Sequence, residues 1–136
     1  MAKKFLIATV LVFGGFAVGR ASQTAPAHVY EMRTYTAAEG KLDAVNARFR
    51  DHTRQIFERH NMKSIGYWTP LEGPTAGTTL IYILEHPSRE EARKNWAAFS
   101  ADPEWQKVKA ESEADGRIVA KVESVFLVPT DYSAIK

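Results

Sequence analysis

The 136-residue chain contains no cysteine. That absence excludes disulfide staples, a thiol nucleophile and a thiolate metal site. Two other signatures are missing as well. No glycine-rich phosphate loop follows the first strand pattern, and no G-x-S-x-G elbow occurs anywhere. Four histidines are present, His28, His52, His60 and His86, but none has the spacing of a zinc site or a facial triad. His52 and His60 would lie roughly two turns apart on one helix, too far to share an ion. No metal and no cofactor is therefore expected, and no catalytic residue can be named.

Only one long hydrophobic run exists, and it lies at the start. Lys3 and Lys4 precede the apolar segment Phe5 to Val18, and Gly19-Arg20-Ala21 supplies small residues for cleavage. This is the order of a secretory signal peptide. We expect residues 1–21 (or 1–27, with Ala25-Pro26-Ala27 as the second site) to be removed and a single domain to occupy 28–136. The run is too short to span a bilayer comfortably, and Gly14 and Gly15 weaken it as a permanent helix. An uncleaved anchor is the alternative; after cleavage no stable membrane span is expected. The location implied is periplasmic or secreted. The whole chain carries 18 basic and 16 acidic residues. Loss of Lys3, Lys4 and Arg20 with the leader leaves acids slightly in excess, so nothing suggests nucleic acid as a partner.

What remains reads as alternating strands and helices. His28 to Thr36 alternates with period two, placing Tyr30 and Met32 on one face and Glu31, Arg33 and Tyr35 on the other. From Ala37 to His60, Leu42, Val45, Phe49, His52 and Ile56 recur at helical steps and share a stripe. Thr36 and Glu39 have the spacing of a capping box, and Asn61 suits a left-handed helix exit. Met62 to Thr69 is a second strand. Two prolines and two glycines punctuate 70–77, and Thr78 to Glu85 is apolar on both faces, as in a buried central strand. Ser88 with Glu91 opens a helix bearing Ala92, Trp96 and Phe99. Asp102-Pro103 restarts it as cap and first residue, and it runs to about Asp115 before Gly116. Val119 to Val128 is the last strand. The order β-α-β-β-α-β predicts an α+β, ferredoxin-like domain: a four-stranded antiparallel sheet with helices on one face.

Several of these strings also carry a family likeness. Val29-Tyr30-Glu31-Met32-Arg33-Thr34-Tyr35-Thr36 resembles the opening strand of the NIPSNAP family. Gly40-Lys41-Leu42, Phe49 to Thr53, Phe57 to Lys63 and Ile65 to Thr69 resemble its first helix and second strand. Arg93, Trp96, Asp102 to Trp105 and Phe126 to Ser133 continue the match to the end of the chain. Asn61 stands where glycine is usual and Met32 replaces leucine. The resemblance implies a dimeric α/β barrel, in which two sheets pack their helix-free faces around a cleft. It names no reaction.

If Tyr30 and Met32 pack on the helices, Glu31, Arg33 and Tyr35 point into that cleft, where a carboxylate, a guanidinium and a phenol could hold a polar group. His52 could join them as a tuned base or be a plain core residue. Tyr67 and Tyr82, with Trp68 and Trp96, could wall a pocket or fill the core. The reading that follows is a homodimer binding a small, partly apolar molecule in the barrel cleft. An interaction or scaffold protein with a closed core is the alternative, as is a cofactor-free oxygenase or isomerase by fold analogy.

Overall fold

A computed structural model describes residues 28–136. The expected leader and its cleavage sites lie outside the described residues. The element order is β1 (Val29–Ala37), α1 (Leu42–Arg48), α2 (Arg54–Arg59), β2 (Lys63–Trp68), β3 (Thr79–His86), α3 (Arg89–Ala101), α4 (Pro103–Ser112) and β4 (Val119–Leu127). The strands form one antiparallel sheet in the order β2-β3-β1-β4, the ferredoxin-like arrangement.

The alternation of β1 and β3 decides what each sheet face carries. Leu80, Tyr82, Leu84 and His86 of β3 are all buried, while Ile81, Ile83 and Glu85 between them are partly open. Pairing places Tyr82 beside Arg33, Leu84 beside Glu31 and Leu80 beside Tyr35. These residues therefore share the helix-covered face, and Tyr30, Met32 and Thr34 look the other way. Beneath the helices lies an aromatic and aliphatic core that includes Val45, Phe49, Ile56, Phe57, Met62, Tyr82, Leu84 and Phe99. Phe49 and Phe57 meet Tyr82 with ring centroids 5.1 and 5.9 Å apart. Each such fully buried apolar side chain contributes about 1.5–3 kcal/mol.

Two local expectations fail, each for a backbone reason. Thr36 and Glu39 form no capping box. β1 continues through Ala37, whose N–H donates to the Thr78 carbonyl at 2.8 Å, and Gly40 turns the chain at φ +66°. The helix then starts at Leu42 without a side-chain cap. The expected stripe is also broken. Between α1 and α2, Phe49–Thr53 winds as a π-helix, which widens one turn. Thr53 is thereby brought inward and donates its hydroxyl to the Arg48 carbonyl at 3.1 Å, while His52 is left exposed.

The remaining punctuation follows the sequence. Asn61 closes α2 at φ 55°. Ser88 Oγ accepts the Glu91 N–H at 3.1 Å, and Asp102 caps α4 by accepting the Glu104 N–H at 2.8 Å, with Pro103 as first helical residue. α4 ends at Ser112, short of Asp115.

Candidate functional site

The structure brings Glu31 and Arg33 together, but beneath α3 rather than on the helix-free face. The expectation that Tyr30 and Met32 would pack on the helices is reversed. Tyr30 is instead covered by the C-terminal segment, and its hydroxyl donates to the Lys136 carbonyl at 2.8 Å. The physical reason is the partner row. β3 presents Tyr82 and Leu84 to the helices, and antiparallel pairing fixes their neighbours Arg33 and Glu31 on the same side.

Glu31 is 2 % exposed and accepts four hydrogen bonds. Its Oε1 receives Ser124 Oγ at 2.7 Å and Arg33 Nη1 at 3.1 Å. Its Oε2 receives the Trp96 indole N–H at 2.6 Å and His86 Nε2 at 3.1 Å. Burial alone would push the carboxyl pKa up. The bonds from His86, Ser124 and Trp96, together with the charge of Arg33, outweigh it and hold the group down at about 2. Arg33 lies over Trp96, its Cζ 4.0 Å from the ring centroid. A carboxylate so saturated is a poor proton acceptor. It fastens β1 to β3, β4 and α3 at one point.

Tyr35, Tyr67 and Tyr82 belong to the aromatic core. Tyr67 stacks on Tyr82 with centroids 5.6 Å apart and shares a 2.7 Å hydrogen bond with Ser64. Burial raises the pKa of both phenols, Tyr82 the more strongly, and the Tyr82 hydroxyl is buried without a partner. His52 is the outlier among the six candidates: it stands exposed beside α4, away from the other five. His86, Trp96 and Ser124 are residues that sequence reasoning missed as partners of Glu31. For His86 a signal existed, since it is in phase with Leu84 and Tyr82 on β3. Ser124 shows only as a polar residue within a strand.

The helix-free face has a different character. Met32, Ile65, Trp68, Ile81, Ile83, Val125 and Leu127 lie across its middle. Trp68 is 51 % exposed and Val125 49 %. The Trp68 indole lies over Gly66, where an added Cβ would come within 2.5 Å of the ring. Charged groups occupy the ends of this face and are paired there, Lys63 with Glu85 at 2.8 Å and Lys121 with Glu123 at 2.9 Å. A cavity of about 350 Å³ opens between the sheet and the C-terminal segment, lined by Tyr30, Ile65, Ile83, Leu127, Val128 and Ile135 among others. Among the described residues no three metal-ligating side chains converge, and no helix is long and apolar enough to cross a membrane.

The fold is shared with solved structures. A NIPSNAP family protein of unknown function from Agrobacterium tumefaciens superposes with a TM-score of 0.71 at 22 % identity, covering 82 % of this chain and 96 % of that one. An uncharacterised NIPSNAP-like domain protein from Burkholderia xenovorans gives 0.69 at 18 %, covering 80 % and 90 %. A putative antibiotic biosynthesis monooxygenase from Chloroflexus aurantiacus gives 0.50 at 15 %, covering 80 % and 99 %, a likeness of fold alone. No curated protein matches. The NIPSNAP family model matches residues 30–134, nearly all of the described chain. The chain belongs to the NIPSNAP family.

Proposed function

We propose that the protein is an exported homodimer that holds a small apolar molecule between two facing sheets. The observation that carries this reading is the helix-free face: apolar across its middle, charge-paired at its ends, and hollowed by the 350 Å³ cavity beside Ile65 and Ile83. An open apolar surface of this kind favours an interface. A second copy supplies an identical, self-complementary patch about a twofold axis. Sheets packed face to face stand about 10 Å apart, which would close the cavity against water. The cavity lining is mostly hydrocarbon, with Tyr30, Thr130 and Ser133 its hydroxyl-bearing members, so the occupant is largely apolar. The polar triplet Glu31, Arg33 and Tyr35 takes no part, because it lies on the other side of the sheet.

Light scattering of the mature domain at micromolar concentration tests the assembly. A dimer is expected, and a Trp68→Asp/Val125→Asp variant should become monomeric with unchanged circular dichroism. A wild-type monomer refutes the proposal. The fluorescent apolar probe N-phenyl-1-naphthylamine then tests the cavity. Binding by the dimer and not by the variant supports it, whereas a dimer that excludes the probe has a closed core, as an interaction protein would.

A further inference from the structure

A second cavity, of about 320 Å³, lies on the opposite side of the sheet, between β4 and the helices. Its lining includes Tyr35 and Trp105 and the cations Arg48, Lys109, Arg117 and Lys121. Arg48 is only 5 % exposed, unusual for a guanidinium. It stands where α1 passes into the π-helical turn, whose widened backbone is held at the Arg48 carbonyl by Thr53. The side chain lies beside Trp105, with Cζ 5.2 Å from the ring centroid. Nη1 alone is engaged, donating to Ser112 Oγ and Glu113 Oε1 at 3.2 Å each. Nε is buried without a partner.

The charges around the cavity do not cancel. Glu113 is the carboxylate in its lining, and Arg48 already uses it. Lys109 and Arg117 are in no ion pair among the described residues, whereas Lys121, the fourth cation of the lining, is held by Glu123 at 2.9 Å. A pocket with two aromatic walls, a fixed guanidinium and two uncommitted cations is complementary to a flat anion.

From this geometry we propose that the cavity is a binding site for a small planar aromatic carboxylate, independent of the apolar cleft on the other face. The ring packs against Tyr35 and Trp105, and the carboxylate faces Arg48, Lys109 and Arg117. A purely structural role for Arg48, pinning α1 to α4 through Glu113, explains its burial but leaves its buried Nε without a partner beside the cavity.

The three tryptophans, Trp68, Trp96 and Trp105, give separate indole N–H signals for a nuclear magnetic resonance titration. With 2-naphthoate at low ionic strength, the Trp105 signal should shift and saturate while Trp68, on the far face, stays still. Lys109→Ala/Arg117→Ala removes only exposed side chains and should weaken binding about tenfold or more. Added salt should weaken it too. The uncharged analogue 2-naphthylmethanol should bind about tenfold more weakly, having lost the charge-assisted contacts. Retention of the Trp105 response in the Trp68→Asp/Val125→Asp variant separates this site from the sheet-face cleft. The proposal is overturned if Trp68 responds in place of Trp105, if the alcohol binds as well as the acid, or if the double variant binds unchanged. Inorganic phosphate binding as tightly as naphthoate would overturn the planar part of it.

Discussion

Glu31→Gln isolates the charge of the buried carboxylate while keeping its shape. In the wild type each oxygen receives two donors, Ser124 and Arg33 on one side, Trp96 and His86 on the other. An amide has one NH2 group and must turn it toward one of these pairs. Facing Trp96 it would oppose an indole N–H that cannot accept. Facing Ser124 it meets a hydroxyl that can rotate, at the cost of leaving Arg33 unpaired. The second arrangement is the cheaper one, and it still loses an ion pair under α3. The carboxyl has a folded pKa of about 2 against 4.5 in the free side chain. At about 1.4 kcal/mol per unit, ionisation in this setting stabilises the fold by roughly 3 kcal/mol near neutral pH. Glu31→Gln should therefore lower Tm by roughly 10–15 °C in a domain of this size.

Acid gives the same reasoning a sign. The folded pKa lies below the unfolded one, so the contribution is complete above the unfolded value and is lost as pH falls toward the folded one. Wild-type stability should decline from about pH 5 to about pH 2, and the gap to Glu31→Gln should narrow over that window. Urea unfolding followed by circular dichroism at several pH values measures both curves. A variant within about 0.5 kcal/mol of wild type at neutral pH, or a gap that ignores acid, refutes the account. Ser124→Ala, which deletes one of the four donors, gives a milder check at about 1 kcal/mol.

Substitutions at two further positions probe the first helical region. His52→Ala should change stability by less than about 0.5 kcal/mol in urea unfolding, because the π-helical turn leaves this side chain in solvent. A loss of several kcal/mol would mean that His52 faces the core after all. Asn61→Ala, at φ 55°, should destabilise by about 1 kcal/mol while Asn61→Gly does not, and thermal melts of the two variants distinguish them. If the alanine variant melts with the wild type, left-handed strain at the helix exit is not what favours asparagine there.

Much of the architecture was legible because it is written at short range. Period-two alternation in Val29–Ala37 and Thr79–His86, Ser88 and Asp102 as caps, and Asn61 at a helix exit all depend on neighbours a few residues away. From such signals the four strands, their order along the chain and the family likeness follow. So does the separation of Glu31, Arg33 and Tyr35 from Tyr30 and Met32, since backbone pleating requires it.

Which of those two sets lies under the helices was not written there. Alternation is symmetric, and both sets contain apolar and polar members, so the choice fell to the register with β3 and to donors 55, 65 and 93 residues away from Glu31. The same holds for His52. A regular helix would have turned it inward, but the wider turn at Phe49–Thr53 rotates Thr53 into its place, a backbone change that the spacing of apolar residues does not encode. Short-range signals along the chain were enough for the strands and for which residues share a face within each of them. Only tertiary packing decided that Glu31 and Arg33 would become an internal fastening and that Tyr35 would pack against the aromatic core. The same packing left the apolar face uncovered by helices and set Arg48 beside a cavity, because burial of a charge is settled by the partners that surround it.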